Sequence, residues 1–164
     1  MKYKIVKQQG NSRLCAVCGI ENPFGFDARF YETDTDEVIG VFKTKTLQQS
    51  FPTRVHGGVI SAIMDECIGR AIWVMEPDVW AVTVEMSLRY KKPIPLDSTL
   101  KCIGRITRNT RKIFEGSGEI FLEDGSVAIE ATAKYWKVAP EEIDMDLEGE
   151  WFDLDEELPF EIEI

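Results

Sequence analysis

In the run Val55-His56-Gly57-Gly58-Val59-Ile60-Ser61-Ala62-Ile63-Met64-Asp65-Glu66, two glycines open an apolar stretch and two carboxylates stand inside it. Glycines at a helix start leave backbone N–H groups free to meet an anion or a developing oxyanion. A carboxylate among Ile63, Met64, Cys67 and Ile68 is costly to bury unless it has partners or work to do. An oxyanion donor and a base point to acyl chemistry. His56 is the only histidine and the cysteines have none beside them, so a nucleophile–histidine triad has no support.

The spacing carries a further consequence. Eight residues of helix put Gly57 and Asp65 about 12 Å apart, at about 1.5 Å per residue. Both groups must come within about 3 Å of one reacting centre, so the two on a single helix cannot converge. An antiparallel helix from a twofold-related chain would set its Asp65 opposite this chain's Gly57 and create two equivalent sites. Glu66 lies about 100° further round the helix and is read as a structural or rim carboxylate bordering the substrate, the alternative being a share in catalysis.

The elements that position these residues follow from pattern. Phe26–Tyr31 and Glu37–Thr46 read as strands around the polar turn 32–36. A helix is expected from about Gly57 to Met75, ending near Pro77 and apolar around nearly its whole circumference, hence central and enclosed by a sheet. Four strands follow: 80–90, 99–109, 112–123 and 127–138, the last two joined by the turn Glu123-Asp124-Gly125-Ser126. Strand, strand, long helix, then strands on short turns is α+β with an antiparallel sheet. Residues 1–139 are expected to form one domain, with 1–26 as a lead-in segment, polar at its start and loop-like from Leu14 to Phe26, and 140–164 as an acidic C-terminal tail. The tail is read as a solvated extension or as an arm packed on a neighbouring surface.

The chain has 164 residues and a formal net charge of −10. Twelve of its 29 acidic residues lie from Pro140 onward, where there is no Lys or Arg. The body before it is therefore close to neutral, which leaves room for an anionic substrate but offers no basic stripe for nucleic acid. No apolar run is long enough for a membrane span and the start MKYKIVKQQG lacks a signal-like apolar segment, so a cytoplasmic location with reduced thiols is expected. Cys15-x-x-Cys18 invites a zinc or redox reading. With Cys67 and Cys102 assigned to the helix core and a strand, four ligands do not assemble, so no metal site is expected.

The HGG start, an acid nine residues after the histidine and the later strand VTVEMSLRYKKPIP together resemble the hotdog-fold thioesterases. The closest branch is the PaaI-like, phenylacetic-acid-pathway type of the 4-hydroxybenzoyl-CoA thioesterase superfamily. The stretch Cys15-Ala16-Val17-Cys18-Gly19-Ile20-Glu21-Asn22-Pro23-Phe24-Gly25 is similar to a CxxCGxxNPxG segment that precedes the fold in many members. The resemblance covers roughly residues 13–138. It implies a hotdog fold, a sheet wrapped around the helix, and two chains pairing as a homodimer or, by doubling, a homotetramer. It also implies hydrolysis of an acyl-CoA without a separate cofactor, with Asp65 as general base or nucleophile and the Gly57 N–H polarising the thioester carbonyl. His56 would orient that corner, Thr83 would assist the carboxylate, and Gln49 would position water. At that last position the chain departs from members that carry an Asn six residues before the His, where Ser50 stands here. For the phosphates of CoA the cationic candidates are Arg54, Arg89, Lys91 and Lys92, with Gly58 at the helix start, and Arg108, Arg111 and Lys112 at a hairpin. The alternative from another class is a non-catalytic hotdog module that senses acyl-CoA.

Overall fold

A computed structural model describes residues 1–143 and 149–164. Helix α1 spans Gly57–Arg70 and continues as a 3-10 turn over Ala71–Val74, close to the boundaries expected from sequence. His56 caps its start in an extended conformation, its Nδ1 accepting from the Gly58 N–H at 3.0 Å.

The strands are β1 (Lys2–Gln8), β2 (Asn11–Ser12), β3 (Arg29–Thr33), β4 (Val38–Lys43), β5 (Trp80–Tyr90), β6 (Thr99–Asn109), β7 (Ile113–Phe121), β8 (Val127–Val138), β9 (Trp151–Phe152) and β10 (Glu161–Glu163). Eight of them form one antiparallel sheet in the order β10-β1-β3-β4-β6-β7-β8-β5, and β2 pairs with β9 in a small separate ladder. This large antiparallel sheet carrying one long helix is the hotdog arrangement the resemblance implies. No helix among the described residues is long and apolar enough to cross a membrane.

The helix lies close against the sheet because glycines meet it there. A Cβ on Gly104 would stand 2.4 Å from the Cys67 carbonyl, and one on Gly118 would stand 2.6 Å from the Met64 terminal methyl. Ile60, Ile63, Met64, Cys67 and Ile68 are buried in this contact. Each large apolar side chain there stabilises the fold by about 1.5–3 kcal/mol. Enclosure is one-sided, however. Val59 and Ala62 are only half-buried, so within one chain the sheet covers one face of the helix and not its whole circumference.

Two features differ from the sequence expectation. The polar start forms β1, and the acidic end folds back onto it as β10, with Lys2 opposite Glu163 and Lys4 opposite Glu161. Opposite charges facing each other across a ladder favour this pairing, and Ile162 adds to a second small core with Ile5, Tyr31, Ile39 and Ile103. Residues 149–164 thus pack on the chain's own body, while 144–148 of the expected tail lie outside the described residues. The other feature is a β-bulge. The ladder between β5 and β8 shifts between Thr83 and Glu85, leaving Val84 without a partner.

Candidate active site

Asp65 sits midway along α1, half-buried, in a pocket of about 220 Å³. The Thr83 hydroxyl on β5 donates to its Oδ1 at 2.7 Å. The Tyr135 hydroxyl on β8 donates to the Asp65 carbonyl at 2.8 Å and approaches Oδ1 at 3.3 Å. Burial first, and then the nearby Asp65 charge, push the Tyr135 phenol well above its ordinary pKa, so it remains a proton donor. The second carboxylate oxygen, Oδ2, has no hydrogen-bond partner among the described residues. A carboxylate oriented through one oxygen and open at the other is arranged to take a proton or to attack an electrophile.

The far side of the same pocket is aromatic. Trp73, Trp80 and Trp151 meet edge to face, with centroids 5.2, 5.3 and 5.5 Å apart. Trp151 comes from the C-terminal segment, so that segment supplies a wall of the pocket. Arg70 is buried behind it, with its guanidinium carbon 4.4 Å from the Phe30 centroid and close to Trp73 and Trp151.

Gly57 lies in a different cleft. Its neighbours are Tyr90, Lys91, Lys92 and Ile94, around a volume of about 250 Å³. The Tyr90 hydroxyl donates to the Gly57 carbonyl at 2.8 Å, and the Gly57 N–H, at the first helical position, finds no acceptor among the described residues. An unbroken helical stretch separates Gly57 from Asp65, so one chain presents two half-constellations in two clefts.

Most of the remaining candidates belong to one of these corners, while Arg54 and Arg89 line neither cleft. His56 and Gly58 bond each other at the Gly57 end. Gln49 is exposed nearby, its backbone bridged to Val55. Arg54 is exposed and its guanidinium rests on its own Thr53, Arg89 is exposed on β5, and Lys91 pairs with Glu130. Lys91 and Lys92 line the Gly57 cleft. Glu66 lines the Asp65 pocket, but its Oε1 accepts from Arg70 Nε and Nη2 at 2.9 and 2.8 Å, so it serves as the partner of a buried cation. Sequence reasoning missed Tyr135, Trp73, Trp151 and Cys15 as pocket residues. Tyr135 reads from the sequence as one more position of an alternating strand. The one signal for Trp151 was an aromatic residue standing among acids.

Residues 53–129 match the model of the thioesterase superfamily. The acyl-coenzyme A thioesterase THEM4 of Mus musculus is 31% identical over 123 residues, which cover 74% of this chain and 52% of that protein. This chain spans about half the length of the curated relatives it matches. Among solved structures, the thioesterase superfamily protein RHA08564 superposes with a TM-score of 0.67 at 25% identity, over 74% of this chain and 59% of that one. The Escherichia coli PaaI protein of the phenylacetic acid degradation operon shares the fold with a TM-score of 0.63 at 12% identity, over 70% and 81%. A hypothetical thioesterase from Streptococcus pneumoniae, solved with coenzyme A, does so with a TM-score of 0.58 at 20% identity, over 63% and 79%.

Proposed function

We propose that this chain, a hotdog-fold member of the thioesterase superfamily, hydrolyses acyl-CoA thioesters at sites shared between two protomers. The observation that carries this reading is the separation of Asp65 and Gly57 into two clefts beside a free sheet edge. β5 is the last strand of the sheet, eleven residues long, and Val82 and Val84 are exposed on it. A long exposed edge with apolar side chains invites pairing. Thr83 belongs to the Asp65 corner and Tyr90 to the Gly57 corner. Antiparallel pairing of β5 with its twofold copy, Thr83 opposite the second protomer's Tyr90, brings unlike corners together twice. A dimer of such dimers uses the same sites.

In that assembly the thioester carbonyl oxygen receives the Gly57 N–H, at the positive end of α1. Asp65 Oδ2 removes a proton from water attacking the carbonyl carbon, or attacks that carbon itself. Either route breaks the carbon–sulfur bond and releases CoA thiol and acid. Thr83 and Tyr135 keep Oδ1 occupied so that Oδ2 is the reactive atom. His56 fixes the helix start, and Gln49, whose backbone bridges to Val55, is assigned to position water. The aromatic pocket receives the acyl group. The part of it that one chain supplies is about 220 Å³. Lys91 and Lys92 border the opposite corner, where the CoA phosphates would lie, and the exposed Arg54 and Arg89 are assigned to the same phosphates. The chemistry draws on the chain and water with no dissociable cofactor. A cytoplasmic location belongs to the same proposal.

Release of thiol from a panel of aryl-, short-, medium- and long-chain acyl-CoAs tests the proposal, with Asp65→Asn in parallel. At least one substrate should be turned over by the wild type and the variant should lose that turnover. Binding of every acyl-CoA without turnover would instead identify a sensor.

A further inference from the structure

The lead-in loop places a feature beside the Asp65 pocket that thioester hydrolysis does not use. Cys15 Sγ, Cys18 Sγ and a Glu66 carboxylate oxygen all lie within 4.8 Å of one another. We propose that Cys15, Cys18 and Glu66 form a zinc site that fastens the lead-in loop to helix α1.

The geometry fits the ion. Zinc at about 2.3 Å from sulfur and about 2.0 Å from oxygen, held tetrahedrally, requires sulfur and oxygen about 3.5 Å apart. Cys15 Sγ and Glu66 Oε2 are 3.5 Å apart before any ion enters. The oxygen in that pair is the free one, because Arg70 holds Oε1 alone. Arg70 therefore orients the carboxylate, as an outer group commonly does for a metal ligand.

The loop is also shaped for thiolates. The Val17 N–H points to Cys15 Sγ at 3.3 Å and the Ser12 N–H to Cys18 Sγ at 3.4 Å. Between them the chain doubles back so tightly that a Cβ on Gly19 would stand 2.3 Å from the Cys15 carbonyl, which itself accepts from the Gly19 N–H at 3.0 Å. Glycine at this position is what allows both sulfur atoms to face the helix.

Charge supplies a third argument. With both thiols protonated, Glu66 and Arg70 cancel. Binding of one zinc ion breaks two S–H bonds, forms two Zn–S bonds and releases two protons to buffer, and the corner is again neutral. A part-buried cluster that is uncharged both before and after binding avoids the desolvation cost of a net charge. The fourth position opens toward the adjacent pocket, where water completes the tetrahedron. The ion holds the loop to the helix, with a water position that closed four-ligand sites lack, and no step of hydrolysis runs through it.

Cobalt(II) is the probe. The full chain, reduced and freed of metal, should take up one equivalent and develop thiolate-to-cobalt charge-transfer absorption together with tetrahedral d–d bands. Zinc should displace the cobalt and raise the midpoint of thermal unfolding. Cys15→Ser and Cys18→Ser should abolish the charge-transfer band and the thermal shift, and Asp65→Asn should retain both. Glu66→Gln should weaken uptake, and because it also strips Arg70 of its partner, the half-buried Cys15 provides the cleaner variant. Absence of a charge-transfer band in the wild type at excess cobalt, or equal uptake by Cys15→Ser, overturns the proposal.

Discussion

Gly57→Pro isolates the proposed oxyanion donor with little else disturbed. Gly57 is the first residue of α1, a position where proline is favoured because that N–H has no helical acceptor. The residue before it, His56, has φ −64° and ψ 130°, the extended region proline demands of its predecessor. A Cβ at position 57 would meet Tyr90 at 3.6 Å, an ordinary contact. The helix should therefore keep its start and the Tyr90 bond to the carbonyl of residue 57. Stability should hold or rise by about 0.4–1 kcal/mol, because proline restricts the unfolded chain. What disappears is one N–H. Losing one such donor costs roughly 100- to 1000-fold in kcat, or about 2.7–4 kcal/mol. The assay is thiol release on the best substrate, with thermal unfolding run alongside. A heterodimer of Gly57→Pro with Asp65→Asn, isolated through two different tags, adds the decisive arm. If sites are shared, one of its two sites carries both substitutions and the other combines an intact Gly57 with an intact Asp65. About half the wild-type activity per dimer should return, although each homodimer is nearly dead. A folded Gly57→Pro with kcat within about threefold of wild type would refute the assignment of the donor. No recovery in the heterodimer would refute the sharing of sites.

Thr83→Val should lower kcat about tenfold with little change in KM, since a hydrogen bond to a carboxylate is worth roughly 1.5–3 kcal/mol and only part of it is specific to the transition state; steady-state kinetics decides. Trp151→Ala should raise KM for bulky acyl groups and cost roughly 2 kcal/mol of stability, below the about 3–5 kcal/mol of a fully buried Trp because the ring is only half-buried. Substrate profiling and denaturant unfolding check the two effects. The C-terminal segment should loosen in acid. Hydrogen bonds from Arg29, and then from Gln8, hold Glu156 below its ordinary pKa of 4.5. A depressed carboxylate contributes stability above its unfolded pKa and loses it as pH falls through the folded value. Hydrogen exchange of residues 149–164 should therefore accelerate below about pH 4.5 relative to the helix, and Glu156→Gln should remove that dependence.

The helix was legible because it rests on local signals. Gly57-Gly58 marked the start, Pro77 the limit, and the eight-residue interval to Asp65 is a property of any α-helix. The strands after the helix were legible for a similar reason, alternation broken by turn residues, with Asp124-Gly125 realised as the hairpin at a φ of 77° for Gly125. What escaped was long-range. MKYKIVKQ reads as polar because Lys2, Lys4 and Lys7 interrupt its apolar residues, and its partner β10 stands at the opposite end of the chain. Tyr135 and Trp151 reach the Asp65 pocket through β8 and the β2–β9 ladder, and no local pattern indicates which strand will face which helix turn. The complementary alternation of Lys2 and Lys4 against Glu161 and Glu163 was present to be read, but only as a pair.

The bulge at Val84 explains how one strand can serve both corners of the site. Side chains on a regular strand alternate between faces, so residues an odd number apart point opposite ways. Thr83 and Tyr90 are seven apart, yet Thr83 reaches Asp65 and Tyr90 reaches Gly57, both on α1. The ladder to β8 runs regularly up to Thr83 and resumes at Glu85, and the single unpaired residue inverts the alternation. Ala81 and Thr83 therefore face inward before the bulge, and Met86, Leu88 and Tyr90 face inward after it, with Ala81, Met86 and Leu88 packed against the core. Without the extra residue, one of the two hydroxyls would turn outward and one corner would lose its support. The alternation in AVTVEMSLRY suggests an ordinary strand, but its departure from regularity is what holds the carboxylate and the helix start in one frame, along the edge through which a second copy would join.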